Sequence, residues 1–273
     1  MVGQALALAA ALGYTAASGA YGLGFLRPKA KVGRTASLAL CAALAAHVAW
    51  FVAERVSLGY LPIANAAQAL SLLALGMGLA YIVIEHTLGR REFGAFIVPV
   101  AFLFQAVAAV QLLIAPDPKP LADILRSAWF EIHVGTALFS YCAFAIAFAA
   151  GLMHVLLFHE LRLKRLGFFF DRMPPLDILE RINRHAVALG FVCLTVGIVT
   201  GGIWSAQARL GSVLWDWKEV SAVLIWLAYA ANLFMRRRMG WRGQRAAIFS
   251  VVNFALVIVL FFLTSFMLQS HQF

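Results

Sequence analysis

The sequence predicts an all-α integral membrane protein, a bundle of eight transmembrane helices. Hydrophobic residues make up 63% of the 273-residue chain, above the roughly 45–50% of soluble domains, and the mean hydropathy is +0.87. The apolar residues form runs close to the roughly 20 needed to cross a bilayer, without the period-two alternation of barrel strands. Helices satisfy their backbone polar groups internally, so they are the spanning structure that this pattern favours.

Eight apolar runs follow one another along the chain. The predicted spans are residues 4–25, 36–53, 64–84, 94–114, 128–157, 186–205, 220–235 and 246–268. No basic residue precedes the first run, so we interpret it as a span rather than a cleaved signal peptide. Few residues remain outside the spans, and we expect a single polytopic membrane domain over residues 1–273.

The longest connector, residues 158–185, is expected to extend the helices on either side of it. Its first part continues the pattern of span 5. Pro174 and Pro175 suit a helix start, and Leu176, Leu179 and Ile182 then recur at helical spacing into span 6.

Basic residues are distributed unequally between the two sides of the predicted bundle. Of the 22 Lys and Arg residues, 17 lie in the connectors after spans 1, 3, 5 and 7, and five lie on the opposite side. The positive-inside rule therefore places the odd-numbered connectors in the cytoplasm of a bacterial inner membrane and both termini outside. The net charge of +10 follows from this topology and does not imply nucleic-acid binding.

Cys41, Cys142 and Cys193 all lie within predicted spans, and the chain has no CxxC pair. This pattern argues against a thiol–disulfide carrier. We expect free thiols that are buried as small apolar side chains.

The segment between spans 6 and 7, GGIWSAQARLGSVLWDWKEV at residues 201–220, differs from an ordinary turn. Apolar residues recur at helical spacing from Ala206 to Trp217, which predicts a short interfacial helix. Five of the seven tryptophans lie at or beyond the outer ends of spans, whereas a simple aromatic belt occupies both interfaces. Three of the five belong to this segment: Trp204, Trp215 and Trp217.

A planar, anionic ligand suits this segment. Ala208 and Gly211 share a face with Trp215, so a flat molecule can approach the backbone there, and Arg209 and Lys218 supply positive charge at its edge. Haem has a flat porphyrin and two propionates, and its iron takes axial ligands that are commonly histidines.

Two histidines lie on the outer side at similar predicted depth. His133 is about one turn inside the outer end of span 5, and His271 follows span 8. We expect both to be axial ligands. His47, in the outer half of span 2, is a further candidate because polar residues within membranes tend to be functional, with a packing role as the alternative. The other four histidines are expected to lie at solvated helix ends: His86, His154, His159 and His185.

At these residues the sequence resembles the membrane-bound cytochrome c assembly family, in the branch with HemX-like and system II haem-handling proteins. The family's Trp-rich segment has the form WGxxWxWDPKE. LGSVLWDWKE keeps five positions of that form: Gly211, Trp215, Asp216, Lys218 and Glu219. By the same resemblance, WFEIHV and SHQF place His133 and His271 at the family's two external histidines.

The sequence also departs from the family pattern at specific positions. Leu210 replaces the first Trp of the motif, Trp217 stands where Pro is usual, and one residue is missing. Phe234, in ANLFMR, replaces a His found in members that hold haem within the membrane. The resemblance therefore implies a site at the outer face and does not extend to a second, intramembrane site.

The predicted function is that of a haem-handling protein for cytochrome c biogenesis. It would hold a non-covalent, b-type haem transiently, and Asp216 would orient an indole N–H or a ligand histidine. The expected partners, besides the lipid bilayer, are apocytochrome c and other cytochrome c assembly proteins. No nucleophile or proton-transfer pair is evident, so we do not expect an enzyme.

The sequence leaves three alternative functions open. By resemblance to HemX-like members, the chain would regulate early haem synthesis at the level of glutamyl-tRNA reductase, with residues 158–185 as the surface for a cytoplasmic partner. A transporter of another substrate is the second alternative, and a purely structural subunit that does not bind haem is the third.

Overall fold

The computed structural model is all-helical over the residues that it describes, 2–63, 65–114, 127–164, 167–207 and 217–270. The described helices, in chain order, are α1 (Val2–Leu26), α2 (Ala30–Leu58), α3 (Ala66–Leu88), α4 (Gly94–Ile114), α5 (Ala128–Arg162), α6 (Leu176–Gln207), α7 (Trp217–Arg238) and α8 (Gln244–Ser270). All eight are long and apolar enough to cross a membrane, which confirms the predicted class. The sidedness of the termini stays a prediction.

Seven of the eight described helices are longer than the predicted spans, mainly at the ends that carry basic residues, and α4 has the predicted bounds. Helix α6 begins at Leu176, directly after Pro174 and Pro175, ten residues before the predicted span. Helix α5 continues to Arg162, as the pattern of the 158–185 connector predicted. Hydropathy identifies only the part of a helix that crosses the hydrocarbon core. Polar helical turns beyond the core are therefore not predicted from it. The predicted interfacial helix falls mostly on residues 208–216, outside the described part of the chain.

Two compact units divide the chain, residues 1–126 and 127–273, and each is described by itself. In the first unit, α1 packs against α2 and α4, and α3 packs against α4 and α2. In the second unit, α5 packs against α6 and α8, while α7 packs against α8 and α6. The single-domain expectation stays a prediction.

A buried carboxylate holds the basic end of the first unit together. Glu85 is 7% exposed, and its Oε2 accepts hydrogen bonds from the hydroxyls of Tyr21, at 2.5 Å, and Tyr81, at 2.8 Å. Its Oε1 accepts from the Ser37 hydroxyl and from Arg91 Nε, the latter at 3.1 Å. Helices α1, α2 and α3 and the α3–α4 turn thus meet at one side chain, and the buried charge has a partner for each oxygen.

The second unit is built on a close approach of α5 and α6. A Cβ built on Gly197 would lie 3.3 Å from the Ala137 amide nitrogen, and one built on Gly190 would lie only 2.4 Å from Phe144 Cε1. Phe144 is fully buried and stacks on Tyr229 of α7, with 3.5 Å between ring centroids. Glycine is therefore required on this face of α6 for packing rather than for backbone conformation.

Replacing Gly190 by Ala should destabilise this packing. The added methyl group would push Phe144 against Tyr229, and overpacking of this kind costs about 1–3 kcal/mol. We expect Gly190→Ala to lower the melting temperature of the detergent-purified protein. Gly202→Ala is the matched control, because a Cβ there meets nothing within 4 Å and alanine favours the helix. Equal melting temperatures for the two variants would contradict this packing role.

The cysteine prediction is correct for Cys142, which is buried, and wrong for Cys41, which is exposed on α2. Cys193 is intermediate. A helix surface that faces lipid tolerates a small apolar thiol as well as the core does, so position within a span does not predict burial. All three thiols are free.

Candidate functional site

The candidate site lies at the end of the second unit that holds the start of α5 and the end of α6. Ser127 caps α5, because its side chain accepts a hydrogen bond from the Phe130 amide at 3.2 Å. This cap sets the first turns of the helix, which carry Trp129, Phe130 and His133. The opposite end of the unit carries the basic residues that begin α6 and α8 and end α5 and α7.

The ring of His133 is fixed against α6. Its Nδ1 lies 2.6 Å from the carbonyl oxygen of Gly197, and the ring packs on Gly201, where a built Cβ would lie 2.6 Å from both Cε1 and Nδ1. A carbonyl oxygen can only accept, so Nδ1 carries the proton, and in the neutral ring Nε2 keeps its lone pair. No described residue forms a hydrogen bond with Nε2. The half-buried ring is thus oriented by one nitrogen and left with the other available for a metal.

Trp204 lies one turn beyond Gly201 on α6. Its ring contacts Phe130, with 5.2 Å between centroids and 50° between ring planes. Trp129, the residue before Phe130 on α5, is 37% exposed. The structure therefore brings His133 and Trp204 to the same end of the α5–α6 pair, three residues before α6 ends.

The other predicted residues of the Trp-rich segment are only partly described. Trp217 and Lys218 lie in the first turn of α7, and nothing further is described of their side chains. The remaining five predicted positions lie outside the described residues: Arg209, Gly211, Trp215, Asp216 and His271. Since α6 ends at Gln207 and α7 begins at Trp217, this segment starts and finishes at the end of the unit that holds His133.

His47 lies in the first unit, inside a closed hydrogen-bond network. The ring is fully buried, with Nε2 2.8 Å from the Ser71 hydroxyl and Nδ1 3.4 Å from the Tyr14 hydroxyl. Ser71 donates to Gln105 Oε1 at 2.9 Å, and Gln105 Nε2 donates to the carbonyl of Ala7 at 3.3 Å. Because Ser71 uses its proton on Gln105, it accepts from His47. Metal binding by His47 would break this network, so the geometry favours the packing role.

A polar cluster that the sequence analysis missed lies at the basic end of the second unit. Arg236 Nε donates to Asn232 Oδ1 at 2.8 Å, and its Nη2 donates to Asn183 Oδ1. Ser250 donates to the same Asn183 oxygen at 3.1 Å, and Asn183 Nδ2 donates to the carbonyl of Ala147 at 2.5 Å. Asn232, within predicted span 7, was the available signal, since a polar side chain in an apolar span needs hydrogen-bond partners there.

The position of His154 contradicts the prediction that this histidine is exposed to solvent. It was expected at a solvated helix end but is 2% exposed, on the face of α5 that packs against α8. Its Nδ1 is buried and has no hydrogen-bond partner among the described residues. The polar turns that α5 adds beyond the apolar run are themselves covered by the start of α8, so nearness to a helix end did not mean exposure. Searched over the same residues, His, Cys, Asp and Glu form no cluster of three able to hold a metal ion.

Eight membrane-length helices, with a histidine oriented at one end of the second unit, define a multi-pass α-helical membrane protein with a candidate ligand site at that end. The chain belongs to the cytochrome c assembly protein family, whose model matches residues 63–271. This match confirms the resemblance on which the sequence analysis relied.

Several proteins named cytochrome c biogenesis protein CcsA are similar to this chain. The protein from Prochlorococcus marinus (strain MIT 9312) is 29% identical over 232 residues, covering 77% of this chain and 74% of the relative. The Synechococcus elongatus protein is 28% identical over 262 residues, with coverages of 81% and 79%. The protein from Porphyra purpurea is 27% identical over 245 residues, with 77% of each chain covered.

Proposed function

We propose that this protein acts in cytochrome c biogenesis by holding haem, non-covalently and transiently, at the end of the second unit that carries His133. Family membership supports the role in cytochrome c biogenesis. The observation that carries the haem proposal is the pairing of His133 Nδ1 with the Gly197 carbonyl at 2.6 Å, which leaves Nε2 for iron. Histidines that ligate metals commonly donate their other N–H in this way.

The residues around His133 fit a flat ligand on two counts. Gly197 and Gly201 let the histidine ring lie directly on the α6 backbone, and near it the Trp204 ring contacts Phe130 at 50° between ring planes. His271 would be the second histidine to hold the haem iron, as the sequence predicts. When bound, the haem iron would supply the coordination bonds, whereas the protein would supply orientation and a shielded apolar surface.

The Trp-rich segment is proposed to complete the site. Trp215 and Trp217 would lie against the porphyrin, Arg209 and Lys218 would meet the propionates, and Gly211 would leave room for the ring. Asp216 would orient a ligand histidine or an indole N–H. These roles rest on the sequence pattern and on the described bounds of α6 and α7.

The proposed sidedness, membrane and partners are supported by the charge distribution and by the family. The basic connectors support placing the His133 end outside the cytoplasm of a bacterial inner membrane. Apocytochrome c and other cytochrome c assembly proteins are the proposed partners there. The chain would present haem to them and would not itself be an enzyme.

The haem proposal is tested by the absorbance spectrum of the detergent-purified protein. We expect a low-spin, bis-histidine haem spectrum in the parent, and a loss of most haem in His133→Ala and in His271→Ala, because each removes an axial bond. Trp241→Phe, at the opposite end of the unit, is the control and should keep the haem content. A parent protein that neither retains nor takes up haem would overturn the proposal. In that case the regulatory role, with residues 158–185 as the surface for a cytoplasmic partner, would be the hypothesis to test.

A further inference from the structure

Arg236 is a cation within a membrane-spanning helix, and no carboxylate among the described residues lies within ion-pair distance of it. It lies in the last turn of α7, and its hydrogen bonds go to neutral acceptors, Asn232 Oδ1, Asn183 Oδ1 and the Ala246 carbonyl. Over the described residues, ion pairs within 4.0 Å join Arg90 with Glu92 and Arg91 with Glu85, and none includes Arg236.

The three neutral acceptors hold the guanidinium in place while leaving one edge of it free. Nε and Nη2 are used by these acceptors, and Nη1 forms no hydrogen bond with a described residue and is not sealed from its surroundings. Of the charged side chains that act on it through space, Glu180 attracts it and Arg184 repels it. A fixed guanidinium with a free edge is suited to a phosphate or carboxylate oxygen.

Further exposed arginines surround this position at the basic end of the unit. Arg184 follows Asn183 on α6, and Arg237 and Arg238 follow Arg236 on α7; all three are exposed. Basic sites between transmembrane helices, at the level of the headgroups, are characteristic places for anionic phospholipids.

An apolar groove of about 290 Å³ lies between α6 and α7, toward the His133 end of both helices from Asn183 and Arg236. Thr195, Ile198, Val199, Val223 and Trp226 line it. Its two polar side chains are already paired, since Trp226 Nε1 donates to Thr195 Oγ1 at 2.9 Å and Thr195 donates to the Phe191 carbonyl at 2.8 Å. The surface of the groove is therefore apolar.

The spacing between the groove and the arginine matches one lipid chain. An α-helix rises 1.5 Å per residue, so Trp226 lies about 15 Å along α7 from Arg236, and Thr195 lies about 18 Å along α6 from Asn183. Half of the roughly 30 Å hydrocarbon core, the reach of one acyl chain, is about 15 Å.

We propose that the second unit binds one anionic phospholipid between α6 and α7. Its phosphate accepts from the free edge of Arg236, with Arg184 nearby, and one acyl chain follows the α6–α7 crevice to the groove at Trp226. This lipid places a negative charge in direct contact with Arg236, where no described carboxylate comes within ion-pair distance. The site is separate from the haem proposal and does not depend on it.

Native mass spectrometry of the full-length protein in detergent tests the proposal. The probes are palmitoyl-oleoyl phosphatidylglycerol and palmitoyl-oleoyl phosphatidylcholine, which share their chains and differ in charge. We expect one retained phosphatidylglycerol, bound about tenfold or more tightly than phosphatidylcholine, because a hydrogen bond to a charged group contributes that much. Arg236→Gln should abolish the preference, and Arg236→Lys should keep part of it. Equal binding of the two lipids by the parent would overturn the proposal.

A second pair of variants tests the groove and covers the case in which Arg236→Gln fails to fold. Val199→Trp fills the groove without touching the charged cluster, and Val52→Trp places the same residue on the lipid-facing surface of α2; the two valines are 57% and 53% exposed. We expect Val199→Trp to weaken phosphatidylglycerol retention severalfold and Val52→Trp to leave it unchanged. Equal retention by the two variants would overturn the groove assignment. Displacement of the lipid by millimolar inorganic phosphate would do so too, because a free anion would then suffice.

Discussion

Gly201→Ala should lower the haem content of the purified protein about tenfold or more, while Gly202→Ala should leave it unchanged. A Cβ on Gly201 would lie 2.6 Å from two atoms of the His133 ring, so the ring must move away from α6. That movement breaks the hydrogen bond from Nδ1 to the Gly197 carbonyl, which sets the direction of Nε2. Loss of such a supporting hydrogen bond commonly costs about 10–100-fold in metal affinity.

The measurement is haem per protein, determined by absorbance, together with the melting temperature of each variant. Gly202→Ala is matched in chemistry and in place, since a Cβ there meets no atom within 4 Å. Gly190→Ala provides the opposite control. It should lower the melting temperature and still bind haem, because it disturbs α5–α6 packing without contacting His133. Parent-like haem content in Gly201→Ala would contradict a positioning role for Gly201.

Glu85→Ala should destabilise the first unit by about 3 kcal/mol. The substitution removes the acceptor for Tyr21, Tyr81, Ser37 and Arg91, and breaking a buried ion pair costs about 3–5 kcal/mol. We expect the low end of that range because the Arg91 side chain is 46% exposed and can reach water. Thermal or denaturant unfolding in detergent measures the change.

Two further variants separate the buried cluster from ordinary surface charge. Arg90→Gln removes the 3.7 Å pair with Glu92, whose partners are 44% and 30% exposed, and should change stability by less than about 1 kcal/mol. Glu85→Gln keeps one carbonyl acceptor and should fall between the other two. If Glu85→Ala unfolds at the same temperature as Arg90→Gln, the cluster does not stabilise the fold.

These predictions depend on particular interatomic distances, whereas the prediction of the fold class depended only on the lengths of the apolar runs. Runs of apolar residues long enough to cross a bilayer predicted all eight helices, because hydrophobic length is a local property of the chain. The same runs marked helix boundaries poorly where polar turns continue a helix, as at the start of α6. The prolines before Leu176 were the local signal that did mark that boundary.

The sequence by itself therefore determined the membrane class, the family and the identity of His133 as a candidate ligand. Only the tertiary structure decided which nitrogen of His133 is free, since that depends on a carbonyl 64 positions away, on another helix. It likewise enclosed His47 between Tyr14 and Ser71, buried His154, and placed Asn183 beside Arg236. Helical periodicity tells which residues share a face, but the partner of that face is set by how the helices pack.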